Sequence, residues 1–174
     1  MLYDEANVEP WLRGTRQESP PLLRAVLHAF DLTREDFARW VWPFDAELLE
    51  QQPYGLPSVG FQARHIARSL DRLLTYAEGN QLSEAQHALL ATEHIAQGAS
   101  ETRDEFEAGL LQAERRTSAL PLAALDEPRY VGRATLPATL AGLLVHLADH
   151  TQRHAGQAVT TAKLLRSLHG AEQS

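Results

Sequence analysis

Two histidines one helical turn apart, His150 and His154, are the residues whose type and spacing most directly suggest chemistry in this chain. They sit in His150-Thr-Gln-Arg-His154-Ala-Gly-Gln157, inside a proline-free run from Ala138 to Leu168 dominated by leucine and alanine. Apolar residues recur there at helical spacing: Leu140, Leu143, Leu144, Leu147, Ala158, Ala162 and Leu165. With His150 at zero on a wheel of about 100° per residue, His154 falls about 40° away, Leu143 about 20° and Leu147 about 60°. Both imidazoles therefore belong to the stripe that faces the interior. One histidine in such a stripe is ordinarily a core residue with a satisfied hydrogen bond. Two on successive turns can chelate one metal ion. His146 extends the ladder at the stripe's edge, about 40° to the other side of His150. Spacing alone leaves His146/His150 and His150/His154 both open as chelating pairs. The second pair lies deeper, and Gly156 follows it, leaving room for a helix or ligand to approach.

Composition narrows the metal chemistry. The chain has no cysteine, so a metal must be held by His, Asp or Glu, and neither a disulfide nor a cysteine nucleophile can form. A third ligand should come from another helix. His65 is the best placed, on the flank of the other strongly amphipathic segment, with Phe61, Ser69 and Arg72 on the same side. Three imidazoles leave a coordination position open, as catalytic sites do. A metal there can lower the pKa of bound water or thiol, or polarise a carbonyl. His-Thr-Gln-Arg-His is not the zinc-peptidase motif, in which a glutamate after the first histidine is the general base; here that position is Thr151. His28, His87, His94 and His169 have no evident partners and read as ordinary surface or core histidines.

The elements that must position these residues are helical. A chain of 174 residues suits one domain, and 44% hydrophobic with 22% charged residues is ordinary for a soluble globular protein. A net charge of -7 argues against a nucleic-acid binder, which would carry a basic stripe. No run reaches membrane-span length, and the N-terminus lacks a signal-peptide pattern, so a cytoplasmic location is expected. Residues 1–19 read as an irregular arm with Trp11 as its anchor, and residues 20–170 as the domain. Ser19 and the two prolines after it start a first helix, with Leu23, Val26, Leu27, Phe30, Phe37 and Val41 on its apolar face, ended by Pro43. Residues 43–57 form a connection with one short helical turn at 45–51. Ser58 caps the second helix, which Gly79 closes. A short helix at 83–93 follows, then a third long helix from Ser100 to the break at Pro121. Segment 121–137 reads as a loop with an isolated extended piece at Tyr130-Val131, before the long fourth helix and frayed final residues from His169. Four long helical patterns without a dividing linker indicate an all-α four-helix bundle.

The helix-two segment RHIARSLDRLLTYAEG, the final-helix motif HTQRHAGQ and four helices of these lengths together resemble the DinB/YfiT-like superfamily, over about Pro20 to Leu168. The family usually has an arginine between the second histidine and the glycine; here Ala155 stands there, a departure placed at the pocket lip. The resemblance implies an up-down-down-up bundle and a divalent metal, often zinc or nickel, held by His65, His150 and His154, with His146 left out. Relatives include S-transferases using low-molecular-weight thiols such as bacillithiol, and mycothiol-dependent isomerases. Homodimers are common among them, and the family name refers to induction by DNA damage rather than to DNA binding.

Both lines lead to a metal-dependent enzyme acting on a small molecule, a thiol S-transferase or a hydrolase, with a low-molecular-weight thiol as co-substrate. The alternatives are a non-catalytic metal-binding bundle with a sensing or stress-related role, and an interaction module without metal. Gln157, Ser69 and Arg72 are candidates for contacts to the ligating histidines or for holding an anionic group. Glu93 and Asp149 are candidate general bases, although Asp149 points about 100° from His150 and reads as a surface residue. Arg129, Tyr130 and Arg133 are placed at the pocket mouth, and segments 80–100 and 121–137 along the substrate pocket.

Overall fold

The computed structural model of the protein describes residues 8–172, with side chains as far as His169, so residues 1–7 of the expected arm lie outside the described residues. In chain order the elements are α1 (Pro21–Trp40), α2 (Ala46–Glu50), α3 (Val59–Ala77), α4 (Glu84–Ala91), α5 (Ala99–Ser118), the strands β1 (Pro128–Val131) and β2 (Leu136–Thr139), and α6 (Leu140–Glu172). The protein is thus mostly helical, with a small strand pair that the sequence pattern does not reveal. Among the described residues no helix is long and apolar enough to cross a membrane.

Local chemistry sets the helix ends. Pro21 opens α1 with a fixed φ and no N–H to satisfy; Ser19 is not the cap, and its carbonyl instead accepts from Arg24. Ser58 Oγ accepts the Phe61 N–H at 3.0 Å, and Gly79 takes φ +86° just past the end of α3. Ser83 and Gln86 form a reciprocal capping box on α4. Helix α5 starts one residue ahead of Ser100, because Glu101 reaches back to accept the Gly98 N–H at 2.7 Å. Thr139 Oγ1 accepts the Gly142 N–H at 3.0 Å and fixes where α6 begins. That helix continues through Glu172 instead of fraying from His169.

The four long helices enclose one core, in which α6 packs on α1 and α3, and α5 packs on α3 and α1. Side-chain pairs give the directions. Gln62 meets Gln157 while Ser69 meets His150, so α3 and α6 are antiparallel. Gln152 reaches Ala29 and Arg166 reaches Trp40, so α1 and α6 run parallel. Arg68 pairs with Glu105 and Thr75 with Arg116, which makes α3 and α5 parallel. Phe37 stacks on Phe106 at 4.3 Å between ring centroids, and Trp42 meets Phe106 edge-on at 5.2 Å. A Cβ on Gly109 would stand 2.7 Å from that of Ala67, so the glycine permits the close approach of α3 and α5.

Three expectations are corrected at the periphery. Segment 121–137 is not a patternless loop: β1 and β2 pair antiparallel from Pro128↔Thr139 to Val131↔Leu136, and Tyr130 and Val131 are therefore not isolated. Arg129 is 8% exposed and donates its Nε–H to the Ala77 carbonyl at 2.7 Å, tying the hairpin to the end of α3 instead of lining a pocket mouth. Tyr130 is half-exposed and Arg133 lies on the exposed turn. Trp11 is 60% exposed and does not anchor the arm; Pro10 is buried, and Arg13 and Arg16 hold the arm to Glu35 and Asp31 on α1.

Candidate metal centre

Helices α3 and α6 cross at the point where His65 meets His150 and His154. One nitrogen from each of the three imidazoles lies within 4.8 Å of the others, and all three side chains are partly buried. His65 Nε2 and His150 Nε2 are 3.4 Å apart. Two imidazole nitrogens on a tetrahedral zinc, each at about 2.0–2.1 Å, stand about 3.3 Å from one another. The separation is that of a ligand pair with no rearrangement.

The outer nitrogens are all engaged, and this settles which nitrogens face inward. His65 donates from Nδ1 to Glu93 Oε2 at 2.8 Å. His154 donates from Nδ1 to Gln62 Oε1 at 2.8 Å, and the Gln62 amide donates in turn to Gln157 Oε1 at 3.1 Å. Ser69 spends its hydroxyl hydrogen on the Ile66 carbonyl, so at 3.4 Å from His150 Nδ1 it is an acceptor. With each Nδ1 a donor, each Nε2 carries a free lone pair toward the common centre. Metal-ligating histidines characteristically have such partners on the far nitrogen. Phe61 stacks over His65 at 5.5 Å between centroids and limits the ring's rotation. The donor set fits a divalent ion.

The other candidates fall into different roles. Arg72 is committed to Glu93 by a 2.5 Å ion pair and is not free to hold an anion. Glu93, 5% exposed, is clamped between His65 and Arg72, so it orients a ligand instead of acting as a base. Burial pushes its carboxyl pKa upward, but hydrogen bonds from His65 and Arg72 outweigh this and hold it below the usual range. Asp149 is more than half exposed and pairs with Arg153 at 2.7 Å, on the surface. Ser69 touches His150, and Gln157 both accepts from the Gln62 amide and acts on His154. Gln62 is buried and was not singled out by the sequence reading. His146 rests its ring edge-to-face on His150 at 5.3 Å but stays outside the cluster. Ala155 is fully buried in the core, not at a pocket lip, because α6 packs on two helices and buries more than one face. His28 lies 3.2 Å from the Thr15 hydroxyl and His169 lies 3.0 Å from the Gln51 amide oxygen, which gives both a structural role.

Two predictions arise here. Replacing Glu93 by glutamine keeps the shape but removes the charge that polarises His65, and metal affinity should fall about 10–100-fold. A competitive chelator titration measures this, and an unchanged affinity would show that Glu93 does not support His65. The second concerns protons. Burial first, then repulsion among His154, His65, His146 and Arg153, lowers His150 from the ordinary 6.5 to about 4. Burial and repulsion from His65 and Arg153, partly opposed by Gln157 and Glu93, also bring His154 to about 4. Between 6.5 and 4 the unfolded chain binds protons that the folded one refuses. Stability is therefore complete above the unfolded value and drains away as pH falls through the folded one. In metal-free protein the two rings should show no NMR titration above about pH 5, and the melting temperature should drop steadily from pH 7 to 4.5. A ring titrating near 6.5 would contradict the buried, mutually repelling arrangement.

Searches of curated proteins and of solved structures give no significant match. The family model of the DinB superfamily matches residues 29–158, a span that includes all three histidines and most of the four long helices. On that match the chain belongs to the DinB superfamily.

Proposed function

We propose that the protein is a divalent-metal-dependent enzyme acting on small molecules, a thiol S-transferase ahead of a hydrolase. The observation that carries this reading is the convergence of three Nε2 lone pairs, each held inward by a partner on its Nδ1. A divalent ion there, zinc or nickel, would supply Lewis acidity at an open coordination position, lowering the pKa of a thiol or water that reaches it. The side chains of the chain itself position, and do not move protons: both carboxylates proposed as bases are paired, Glu93 with His65 and Arg72, Asp149 with Arg153. Transfer of a thiol sulphur needs its anion stabilised and aimed. Hydrolysis also needs groups that shuttle protons, and this difference favours S-transfer.

The helix directions support an up-down-down-up course for α1, α3, α5 and α6, the arrangement the family resemblance implies. With the proposal go a cytoplasmic location, a homodimer, and a small-molecule substrate with a low-molecular-weight thiol, rather than nucleic acid or membrane. The test is a panel of thiols with a generic electrophile, assayed with and without zinc or nickel. Metal-stimulated thioether formation that is lost in His154→Ala is the expected result. Equal rates in wild type and His154→Ala would overturn the enzymatic reading and leave a metal-binding bundle with a sensing role.

A further inference from the structure

Two hollows adjoin the histidine cluster. The smaller, about 200 Å³, is lined by Ser69, Leu73, Tyr76, Leu82 and Leu90 beside Arg72 and His150. The larger, about 600 Å³, lies under the hairpin between Val131, Pro137, Leu143 and Gly142, with His146 on its wall. Leu73 belongs to both, and His146 and His150, one turn apart on α6, face them in turn. We infer that the two hollows form one groove that binds a neutral, largely apolar organic molecule next to the metal, with His146 meeting its single polar group. This inference rests on the metal-site reading, and it adds the class of substrate.

The lining decides the class. Leucine, valine, proline and alanine make up most of the larger wall and leucine and tyrosine most of the smaller, as in ordinary small-molecule pockets, and the combined volume is that of a site for a small organic molecule. The cations nearby are neutralised within the fold. Arg72 is paired with Glu93, Arg68 with Glu105, and Arg129 is spent on the Ala77 carbonyl and Glu127. Away from the metal, an anionic ligand would lose its water and find no unpaired arginine among these to replace it. Thr139, which brings the hydroxyl of the larger wall, accepts the Gly142 N–H as a helix cap. His146 is 43% exposed on its side chain, and its Nδ1 is 3.7 Å from Asp149, too long for a hydrogen bond, which leaves a ring nitrogen for the ligand.

Binding can be read without turnover. Zinc-loaded and zinc-free samples are each titrated with N-phenyl-1-naphthylamine, a neutral dye that brightens in apolar surroundings. The dye is then displaced by 2-naphthol, naphthalene and 2-naphthoate, the ranking being read in the zinc-free sample, where a carboxylate cannot gain by ligating the ion. Saturable binding is expected, with 2-naphthol displacing best and the carboxylate at least tenfold worse than naphthalene. Leu73→Trp, which fills the junction, and Gly142→Leu, which fills the larger hollow, should each weaken the dye at least tenfold while zinc affinity holds. His146→Phe should abolish the advantage of 2-naphthol over naphthalene. Dye binding that is absent, unaffected by both filling variants, or displaced equally by 2-naphthoate would overturn the inference. A 2-naphthol advantage that survives His146→Phe would remove His146 from it. Zinc affinity and thioether formation are measured separately, so failure of the groove is distinguishable from failure of the metal-enzyme reading.

Discussion

Replacing His150 by alanine is expected to weaken zinc binding by a hundred- to a thousandfold. His150 touches both of the other ligands: its Nε2 stands 3.4 Å from that of His65, and its ring lies 4.4 Å, between centroids, from that of His154 on the next turn. Structural zinc sites with four ligands have apparent binding free energies of about 10–16 kcal/mol, so losing one imidazole of three forfeits about 3–4 kcal/mol. Each 1.4 kcal/mol is a factor of ten. The fold should survive, since the ring is only partly buried. Circular dichroism on the same sample checks this. His146→Ala is the control, with an expected change of no more than a few-fold, because its nitrogens lie outside the cluster. A chelator competition in which both variants match wild type would remove the ligand assignment.

The largest effect on stability is expected at Arg64. Its side chain is fully buried and donates both terminal nitrogens to Glu50 and Nε to the Glu93 carbonyl at 3.0 Å. One guanidinium thus ties α2 and the segment after α4 to the middle of α3. Glu50 is pressed so closely on α3 that a Cβ at Gly60 would come within 2.3 Å of its carboxylate. Arg64→Leu leaves that carboxylate with the Ser58 hydroxyl at 3.2 Å in place of a guanidinium, and takes from the Glu93 carbonyl the Arg64 Nε–H. Breaking a buried pair on one side costs about 3–5 kcal/mol, and the partial exposure of Glu50 places the expectation near the lower end. Denaturant unfolding measures it; a loss below about 1 kcal/mol would mean the network adds little. The variant should also bind metal more weakly, because Glu93 would no longer be held where it fixes His65.

The histidines that meet were legible because each lies on a strongly patterned helix, and a 3.6-residue period states which side chains face inward. His150 and His154 are one turn apart, and His65 occupies the flank of the other amphipathic segment, so their meeting required only that α3 and α6 pack. Of the groups that orient them, Ser69 was legible from its place beside His65 on the same helix, and the other two were not. Gln62 and Glu93 are identified by docking register, to within an ångström, and no local spacing encodes that. Glu93 stands in a segment with weak periodicity, and its acidity suggested a base; its two partners, the Arg72 guanidinium and the His65 ring, come from α3, 21 and 28 residues earlier in the chain. The hairpin was missed for a related reason. Pro128, Arg129, Leu136 and Pro137 show no apolar alternation, and the pairing is enforced by Arg129 reaching Ala77 in α3. Ala155 was misplaced because a wheel with one apolar stripe cannot represent a helix buried by two neighbours.

The central claim is that His65, His150 and His154 hold one divalent ion through Nε2. X-ray absorption at the zinc edge, on untagged protein loaded with one equivalent of zinc, tests it most directly. The expected spectrum shows three imidazole nitrogens at about 2.0–2.1 Å with one further position for a solvent oxygen, or for sulphur at about 2.3 Å when a thiol is added, and His150→Ala should reduce the imidazole count. A spectrum with one imidazole or none, or one that His150→Ala leaves unchanged, would contradict the account.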